Sequence, residues 1–138
     1  MKILFDTNIV LDAILDRSPH AMAAVRLMQA VRTGTIEGFL CATSVTTIYY
    51  LGTRQTGAAQ MRRVLGDLLS MFEVCPMDKN VLAAAANSPM ADYEDAVVHE
   101  SASRAGLDAI VTRDIKGFRK GRLAIYAPDD LLAILKMA

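Results

Sequence analysis

The feature that most constrains the fold of this chain is the alternation of very short apolar runs with longer segments of helical periodicity. The apolar runs lack the alternation of polar and apolar residues seen in half-exposed strands, and the first of them is typical of a strand buried on both faces of a sheet. The runs occupy residues 2–5, 39–42, 73–75, 109–112 and 123–126. Because helical segments separate them, the pattern predicts an α/β, single-domain, three-layer α/β/α fold with a mostly parallel sheet of about five strands.

The helical segments are marked by apolar residues three and four positions apart and by capping residues at their ends. A helix ending near Arg32 is predicted to follow Ser18 and Pro19, which suit an N-cap and a first-turn proline. Further helices are predicted after Thr43 and Ser44, over 61–72 and 81–86, from Asp92 to about Arg104, and from Pro128 onward. Parallel strands separated in this way direct their carboxyl ends, and any ligand, to one edge of the sheet.

The composition is that of a globular domain that spans the whole of residues 1–138. Apolar residues make up 53% of the chain and the formal net charge is zero, which excludes a disordered chain and a global basic field. The uncharged run 38–53 is shorter than the roughly 20 residues that span a bilayer, so no membrane segment is expected. Cys41 and Cys75 lie in apolar runs and are predicted to be buried free thiols of a cytoplasmic protein.

Three acidic residues stand where the predicted strands end. Asp6 follows the first strand, Asp114 follows the fourth, and Asp95 lies in the first turn of the helix that leads into the fourth. Converging carboxylates repel one another unless protons or a hard cation compensate them, and Mg²⁺ or Mn²⁺ takes oxygen ligands of this kind. A metal so held can activate water against a phosphodiester, so the cluster indicates hydrolysis of nucleic acid.

Helix or turn capping is the alternative explanation for each acid. Asp6 could cap the short helical turn predicted at residues 9–11, and Asp114 could cap the turn near Ile115. Asp92 and Asp95, three residues apart, approximate a capping box that favours the helix dipole. Capping and metal binding therefore both remain open for these residues.

At these residues the sequence resembles the PIN-domain ribonucleases, which include the toxins of VapBC-type toxin-antitoxin pairs. The resemblance covers essentially the whole chain and rests on three motifs in order: FDTNIVLD at 5–12, DYEDA at 92–96, and IVTRD at 110–114 followed by Phe118. It implies that Asp6, Asp95 and Asp114 are the catalytic metal ligands, with Asn8 and Thr112 supporting them and orienting water. It further implies a homodimer and a possible antitoxin partner.

One position departs from the family pattern. The family usually has an acid on the helix after the second strand, where this chain has Thr47. A hydroxyl can hold a metal-bound water but carries no charge, so metal binding is expected to be weaker unless Asp92 or Glu94 compensates. This departure supports an alternative in which the protein is a catalytically reduced or inactive PIN-like module that binds RNA or protein.

The segment 113–122 carries five basic residues and one acid next to Asp114. We expect Arg113, Lys116 and Arg119 to bind the RNA backbone, since adjacency to the acids favours this over a merely solvated loop. Together these features predict a ribonuclease that uses Mg²⁺ or Mn²⁺. A phosphotransfer fold with Asp6 as nucleophile is less consistent with the sequence, because Thr7 and Asn8 follow Asp6 where such folds place a second acid.

Five further side chains are assigned from their spacing alone. Asp12 and Asp16 are predicted to lie on a solvated face. His99, four residues after Asp95, is predicted to be a surface residue or to support the site. Tyr49 and Tyr50 are predicted to pack in the core rather than to stack on a base.

Overall fold

The computed structural model describes residues 1–136, so the last two residues of the predicted domain 1–138 lie outside the described part. Five strands alternate with seven helices over these residues. The strands are β1 (Lys2–Phe5), β2 (Glu37–Cys41), β3 (Glu73–Cys75), β4 (Ala109–Val111) and β5 (Ala124–Tyr126). The helices are α1 (Thr7–Ile14), α2 (Ala21–Arg32), α3 (Ala42–Thr56), α4 (Ala58–Met71), α5 (Lys79–Ala86), α6 (Tyr93–Arg104) and α7 (Pro128–Ile134).

The sheet separates two hydrophobic clusters, which confirms the predicted three-layer α/β/α fold. Ile3 and Phe5 of β1 pack into one cluster with residues of α1, α2 and α7. Leu4, between them, packs into the other cluster with residues of α5 and α6. Successive side chains of a strand point to opposite faces, so a strand at the centre of this fold must be apolar on both.

All strand pairs are parallel, and the strand order β3-β2-β1-β4-β5 places β1 beside β4. The chain builds the sheet outward from β1 in one direction and then crosses back to add β4 and β5 on the other side. The carboxyl ends of β1 and β4 therefore flank the point where the strand order reverses. In open parallel sheets this is the crevice that binds ligands.

Several boundaries and exposures differ from the sequence predictions. The second helix begins at Ala21, because residues 18–20 form a turn, so Pro19 precedes the helix rather than opening it. The turn predicted at residues 9–11 is a full helix, α1. Tyr50 was wrongly predicted to be in the core: it is 61% exposed and its ring lies under the guanidinium of Arg54.

The two cysteines are confirmed as buried free thiols. They are direct partners in the register of β2 and β3. No helix within residues 1–136 is long and apolar enough to cross a membrane.

Candidate functional site

Asp6 is the first residue beyond β1 and is held by three hydrogen bonds. Its Oδ1 accepts the backbone N–H of Thr7 at 2.9 Å, which caps α1. Its Oδ2 accepts the hydroxyl of Thr112 at 2.7 Å and the side-chain amide of Asn8 at 3.3 Å. The capping role predicted as an alternative is therefore real, but it occupies one carboxylate oxygen and leaves the acid at the crevice.

Thr112 joins the carboxyl ends of β1 and β4. The hydroxyl that donates to Asp6 also accepts the backbone N–H of Asp114 at 3.0 Å, and Thr112 is fully buried. The Oδ1 of Asp114 in turn accepts the backbone N–H of Gly117 at 3.1 Å, within the short 3₁₀ turn Lys116–Phe118. One hydroxyl thus fixes the positions of two acids.

Asp95 reaches the same crevice from the amino-terminal turn of α6. Asp92 is the N-cap of this helix, and its carboxylate accepts the backbone N–H of Asp95 at 2.9 Å. The side chain of Asp95 is free of that capping role. A Cβ placed on Gly117 would lie 2.8 Å from Asp95 Oδ2 and would also collide with Asp114 Oδ2, so both carboxylates converge on this glycine.

The three acids act on one another electrostatically. Burial is the main cause that raises the pKa of Asp6, with a further contribution from Asp114. Burial also raises the pKa of Asp95 to about 6, with repulsion from Asp92, Asp6 and Asp114 adding to it. Such mutual repulsion is the signature of a carboxylate cluster that a cation would stabilise.

Two cavities meet at Asp95. The first, of about 380 Å³, is lined by Asp6, Asn8, Thr47, Glu94 and Asp95 among others. The second is lined by Asp95, Asp114, Lys116, Gly117 and Arg119 together with Asp92. Asp95 therefore lines both cavities, and each of them contains acidic and basic side chains.

The donor set fits a hard cation of the kind that retains much of its water. Within residues 1–136, no three His, Cys, Asp or Glu side chains are already arranged so that they could hold a metal ion by themselves, so waters and substrate oxygens would have to supply further ligands. The oxygens that are present come from carboxylates, and Mg²⁺ is commonly bound by one or two carboxylates, several waters and substrate phosphate. The side chains of Asp6, Asp95 and Asp114 would hold such an ion, and Asn8 and Thr112 would fix its ligands.

Thr47 and Glu94 line the same cavity from opposite helices. The Thr47 hydroxyl donates to the backbone carbonyl of Thr43 at 3.2 Å, so its proton is used within α3. Glu94 is exposed at the start of α6 and has the free carboxylate that Thr47 lacks. Of the two acids that could compensate for the missing acid at position 47, Asp92 caps α6 and Glu94 lines the cavity.

The predicted phosphate-binding residues are divided between the two cavities. Lys116 and Arg119 line the cavity that contains Asp114. Arg113 lines the other one, beside Asp6 and Asp95. Arg122, at the end of the basic segment, turns away and pairs with the buried Glu100 at 3.2 Å.

Asp12 was wrongly predicted to lie on a solvated face. It is fully buried and its carboxylate bonds Arg17 and Arg113. Asp16 is exposed, as predicted. The missed signal was the spacing in α1, since Asn8 and Asp12 are four residues apart and therefore share the face that looks into the crevice. Arg17 was not singled out by the sequence at all.

His99 is not a surface residue, which corrects one of the two roles predicted for it. It is 1% exposed, and its Nε2 accepts the backbone N–H of Leu123 at 3.1 Å. The backbone of Gly121 lies against its ring. Burial lowers the pKa of His99, so this neutral imidazole attaches the β4–β5 connection to α6.

Comparison with known proteins agrees with this fold. A family profile described as PIN domain matches residues 2–116. A search among curated proteins finds no significant match.

Solved structures share the fold at low sequence identity. FitAB bound to an IR36 DNA fragment has a TM-score of 0.72 at 20% identity, covering 91% of this chain and 94% of that one. VapBC2 from Rickettsia felis, bound to a promoter DNA fragment, has a TM-score of 0.69 at 15% identity, covering 92% and 98%. A toxin-antitoxin complex from Klebsiella pneumoniae has a TM-score of 0.69 at 19% identity, covering 91% and 97%.

Proposed function

Since this chain belongs to the PIN-domain family, we propose that it is a divalent-metal-dependent endoribonuclease that hydrolyses phosphodiester bonds of RNA. The observation that carries the proposal is the set of three acids at the reversal point of the sheet. Burial and repulsion from Asp114 raise the pKa of Asp6, and burial together with repulsion from Asp92, Asp6 and Asp114 raises the pKa of Asp95. A structural role alone gives no reason to bring like charges together.

In this proposal Asp6, Asp95 and Asp114 hold Mg²⁺ or Mn²⁺, and the ion when bound lowers the pKa of water and stabilises charge on the phosphate. Thr112 and Asn8 keep Asp6 oriented through their hydrogen bonds to Oδ2. Lys116 and Arg119 bind the RNA backbone next to Asp114, where the cavity that they line is open to solvent.

We further propose that the protein is the toxin of a toxin-antitoxin pair. The support is its fold, which it shares with proteins solved as toxin-antitoxin complexes. The partner is then a small antitoxin protein encoded by an adjacent gene. Copurification of this chain with the product of a neighbouring reading frame, and relief of growth arrest by that product, would be the expected results.

A catalytically reduced module that binds RNA or protein is the second candidate. Thr47 favours it, because its uncharged hydroxyl is bonded to the backbone of its own helix. The two candidates make different predictions for cleavage by the unaltered protein.

The test is cleavage of single-stranded RNA in Mn²⁺, together with thermal unfolding. We expect Mn²⁺ to stabilise the protein by a few kcal/mol when it greatly exceeds its dissociation constant. Asp95→Asn and Asp114→Asn should lose both the stabilisation and cleavage. Asp16→Asn is the matched control, because Asp16 is exposed and its backbone φ of 51° suits asparagine. Equal shifts with Mn²⁺ in all variants would refute a shared metal site.

A further inference from the structure

The wall of the crevice opposite Asp95 contains two arginines bound to one buried carboxylate. Arg113 Nε donates to Asp12 Oδ2 at 2.6 Å and its Nη2 donates to Oδ1 at 3.2 Å. Arg17 Nε donates to Asp12 Oδ1 at 2.9 Å, and its Nη2 donates to the backbone carbonyl of Asn8 at 3.3 Å. Asp12 therefore holds two guanidinium groups side by side.

The charges of this group do not balance. A single arginine would neutralise Asp12, so the second leaves one positive charge, because arginine stays protonated at any physiological pH. The Asp12 side chain is 1% exposed, whereas those of Arg17 and Arg113 are 40% and 34% exposed. The surplus charge therefore faces solvent while the acid that fixes it does not.

Both arginines line the cavity that contains Asp6 and Asp95. Their Nη1 groups have no hydrogen-bond partner within residues 1–136. Guanidinium groups whose geometry is already fixed lose little side-chain entropy on binding, and their planar donors suit phosphate. The arrangement thus offers an anion subsite beside a cation site.

We propose that Arg17 and Arg113 form a second phosphate subsite, which binds an internal phosphodiester adjacent to the one that is cleaved. Asp12 is the positioning residue of this subsite. The inference rests on the proposed ribonuclease function and extends it to Arg17 and Asp12, to which the sequence assigned no role in binding, whereas Arg113 was already predicted to bind the RNA backbone. It predicts that substrate affinity depends on Arg17 even though Arg17 is remote in sequence from the basic segment 113–122.

The first experiment measures binding of a short single-stranded RNA of mixed sequence to the full chain without divalent metal, over a series of salt concentrations. Arg17→Ala should weaken binding and reduce the slope of log affinity against log salt by about 0.7, the value for one single-strand phosphate contact. Arg17→Lys should retain more of the slope than Arg17→Ala does. Arg104→Ala, a matched loss of an exposed arginine at the far end of α6, should leave the slope unchanged.

The second experiment replaces one internal phosphate at a time by an uncharged methylphosphonate. At one position the neutral group should weaken binding to the unaltered protein but not to Arg17→Ala, because the contact is already lost. Additive effects of the two changes at every position would overturn the subsite. Thermal unfolding of each variant confirms that the compared proteins are folded.

Cleavage in Mn²⁺ separates this inference from the proposed function. Arg17→Ala should raise KM with little change in kcat, as expected when binding to ground and transition states is lost equally. Cleavage by the unaltered protein with KM and salt slope independent of Arg17 would overturn the subsite and leave the function standing. Arginine-dependent RNA binding without cleavage would support the subsite and contradict the nuclease. Absence of RNA binding would contradict both.

Discussion

The chemistry of single residues in this protein is governed by which hydrogen bonds and charges each acid already has. Asp6 accepts hydrogen bonds from Thr7, Asn8 and Thr112 and is therefore fixed in position before any ligand arrives. Asp95 has no such fixed partners for its side chain and instead faces other acids. Asp6 therefore provides a carboxylate in a fixed position. Asp95 provides a negative charge whose repulsion by neighbouring acids a bound cation can relieve.

Replacement of Thr47 tests how much one missing charge limits the site. Thr47→Glu should raise Mn²⁺ affinity and the cleavage rate, each by about tenfold, because a carboxylate ligand is added to the cavity that contains Asp6 and Asp95. Isothermal titration and RNA cleavage measure the two effects. Thr47→Gln, of similar size but uncharged, is the control.

The result that would contradict this prediction is a Thr47→Glu variant with no increase in Mn²⁺ affinity or cleavage rate. If Thr47→Glu does not raise Mn²⁺ affinity, the new carboxylate would only add repulsion to the acidic cluster and lower the stability of the metal-free protein. If that occurs and Glu94→Gln abolishes residual cleavage, Glu94 already fills the role of the missing acid. If the unaltered protein and both variants show no cleavage of RNA, the protein is a binding module.

The pH dependence of stability should reveal the repulsion at Asp95. Its folded pKa, about 6, lies above the unfolded value of about 3.9, so the folded state holds this proton more tightly. In the metal-free protein, the contribution of protonated Asp95 to the free energy of unfolding is therefore fully present below about pH 4. It is lost as the pH rises through about 6. Asp95→Asn, which mimics the protonated acid, should become more stable relative to the unaltered protein over that interval.

Urea unfolding across pH, with and without Mn²⁺, measures this difference. His99 contributes with the opposite sign, since its lowered folded pKa makes stability rise as the pH increases through about 6.5, and it is present in both proteins. A difference curve between the two proteins thus isolates Asp95. A flat difference curve would show that Asp95 has no raised pKa.

At the scale of elements, α6 and the β4–β5 connection act as one unit. His99 accepts from Leu123, and Arg122 donates to Glu100 and to Ser103. These contacts hold a segment with little regular structure against a helix that also carries Asp95. The connection therefore holds the basic residues that follow Asp114 beside the helix that carries Asp95.

Gly117 is the point in this connection that leaves no space for a side chain. Gly117→Ala should weaken Mn²⁺ binding by at least about tenfold, because its Cβ would displace the carboxylates of Asp95 and Asp114. The free energy of unfolding should fall by about 1–3 kcal/mol. Gly66→Ala in α4 is the control, since its Cβ meets no other atom within 4 Å and should stabilise the helix by roughly 1 kcal/mol. Unchanged metal affinity in Gly117→Ala would contradict the convergence of the two acids.

At the scale of the whole molecule, apolar side chains remain on the outside of the helical layers. Met22 and Val25 of α2, Tyr50 of α3 and Leu69 of α4 are among the exposed large hydrophobic residues. In a small chain that is 53% apolar, this surface is consistent with self-association. The resemblance to PIN-domain ribonucleases implies a homodimer as well.

Sedimentation velocity at micromolar concentration tests the homodimer. We expect a species of twice the 15.0 kDa mass of one chain, because burial of these apolar side chains favours association. A single 15.0 kDa species at every concentration would contradict the dimer without affecting the metal site.

The sequence by itself determined the strands, most of the helices and the acids that follow the strands. Those features are local: a run such as residues 2–5 is apolar throughout because both faces are buried, and Asp6 follows it directly. The positions of the acids in this pattern also predicted that Asp95 joins Asp6 and Asp114, and the family motifs added the expectation that all three are metal ligands. Periodicity was less informative for Tyr50, because helical spacing alone does not say where the edge of the buried face lies.

Only the tertiary structure decided which strand ends are neighbours and where the surplus charges lie. The pairing of β1 with β4 joins Asp6 to Thr112 across a separation of 106 positions, and no local pattern encodes that pairing. The same pairing brings Arg113 to Asp12 and turns an apparently solvated acid into a buried one. Burial of a charged residue depends on its partner, and here the partner is supplied by a distant part of the chain.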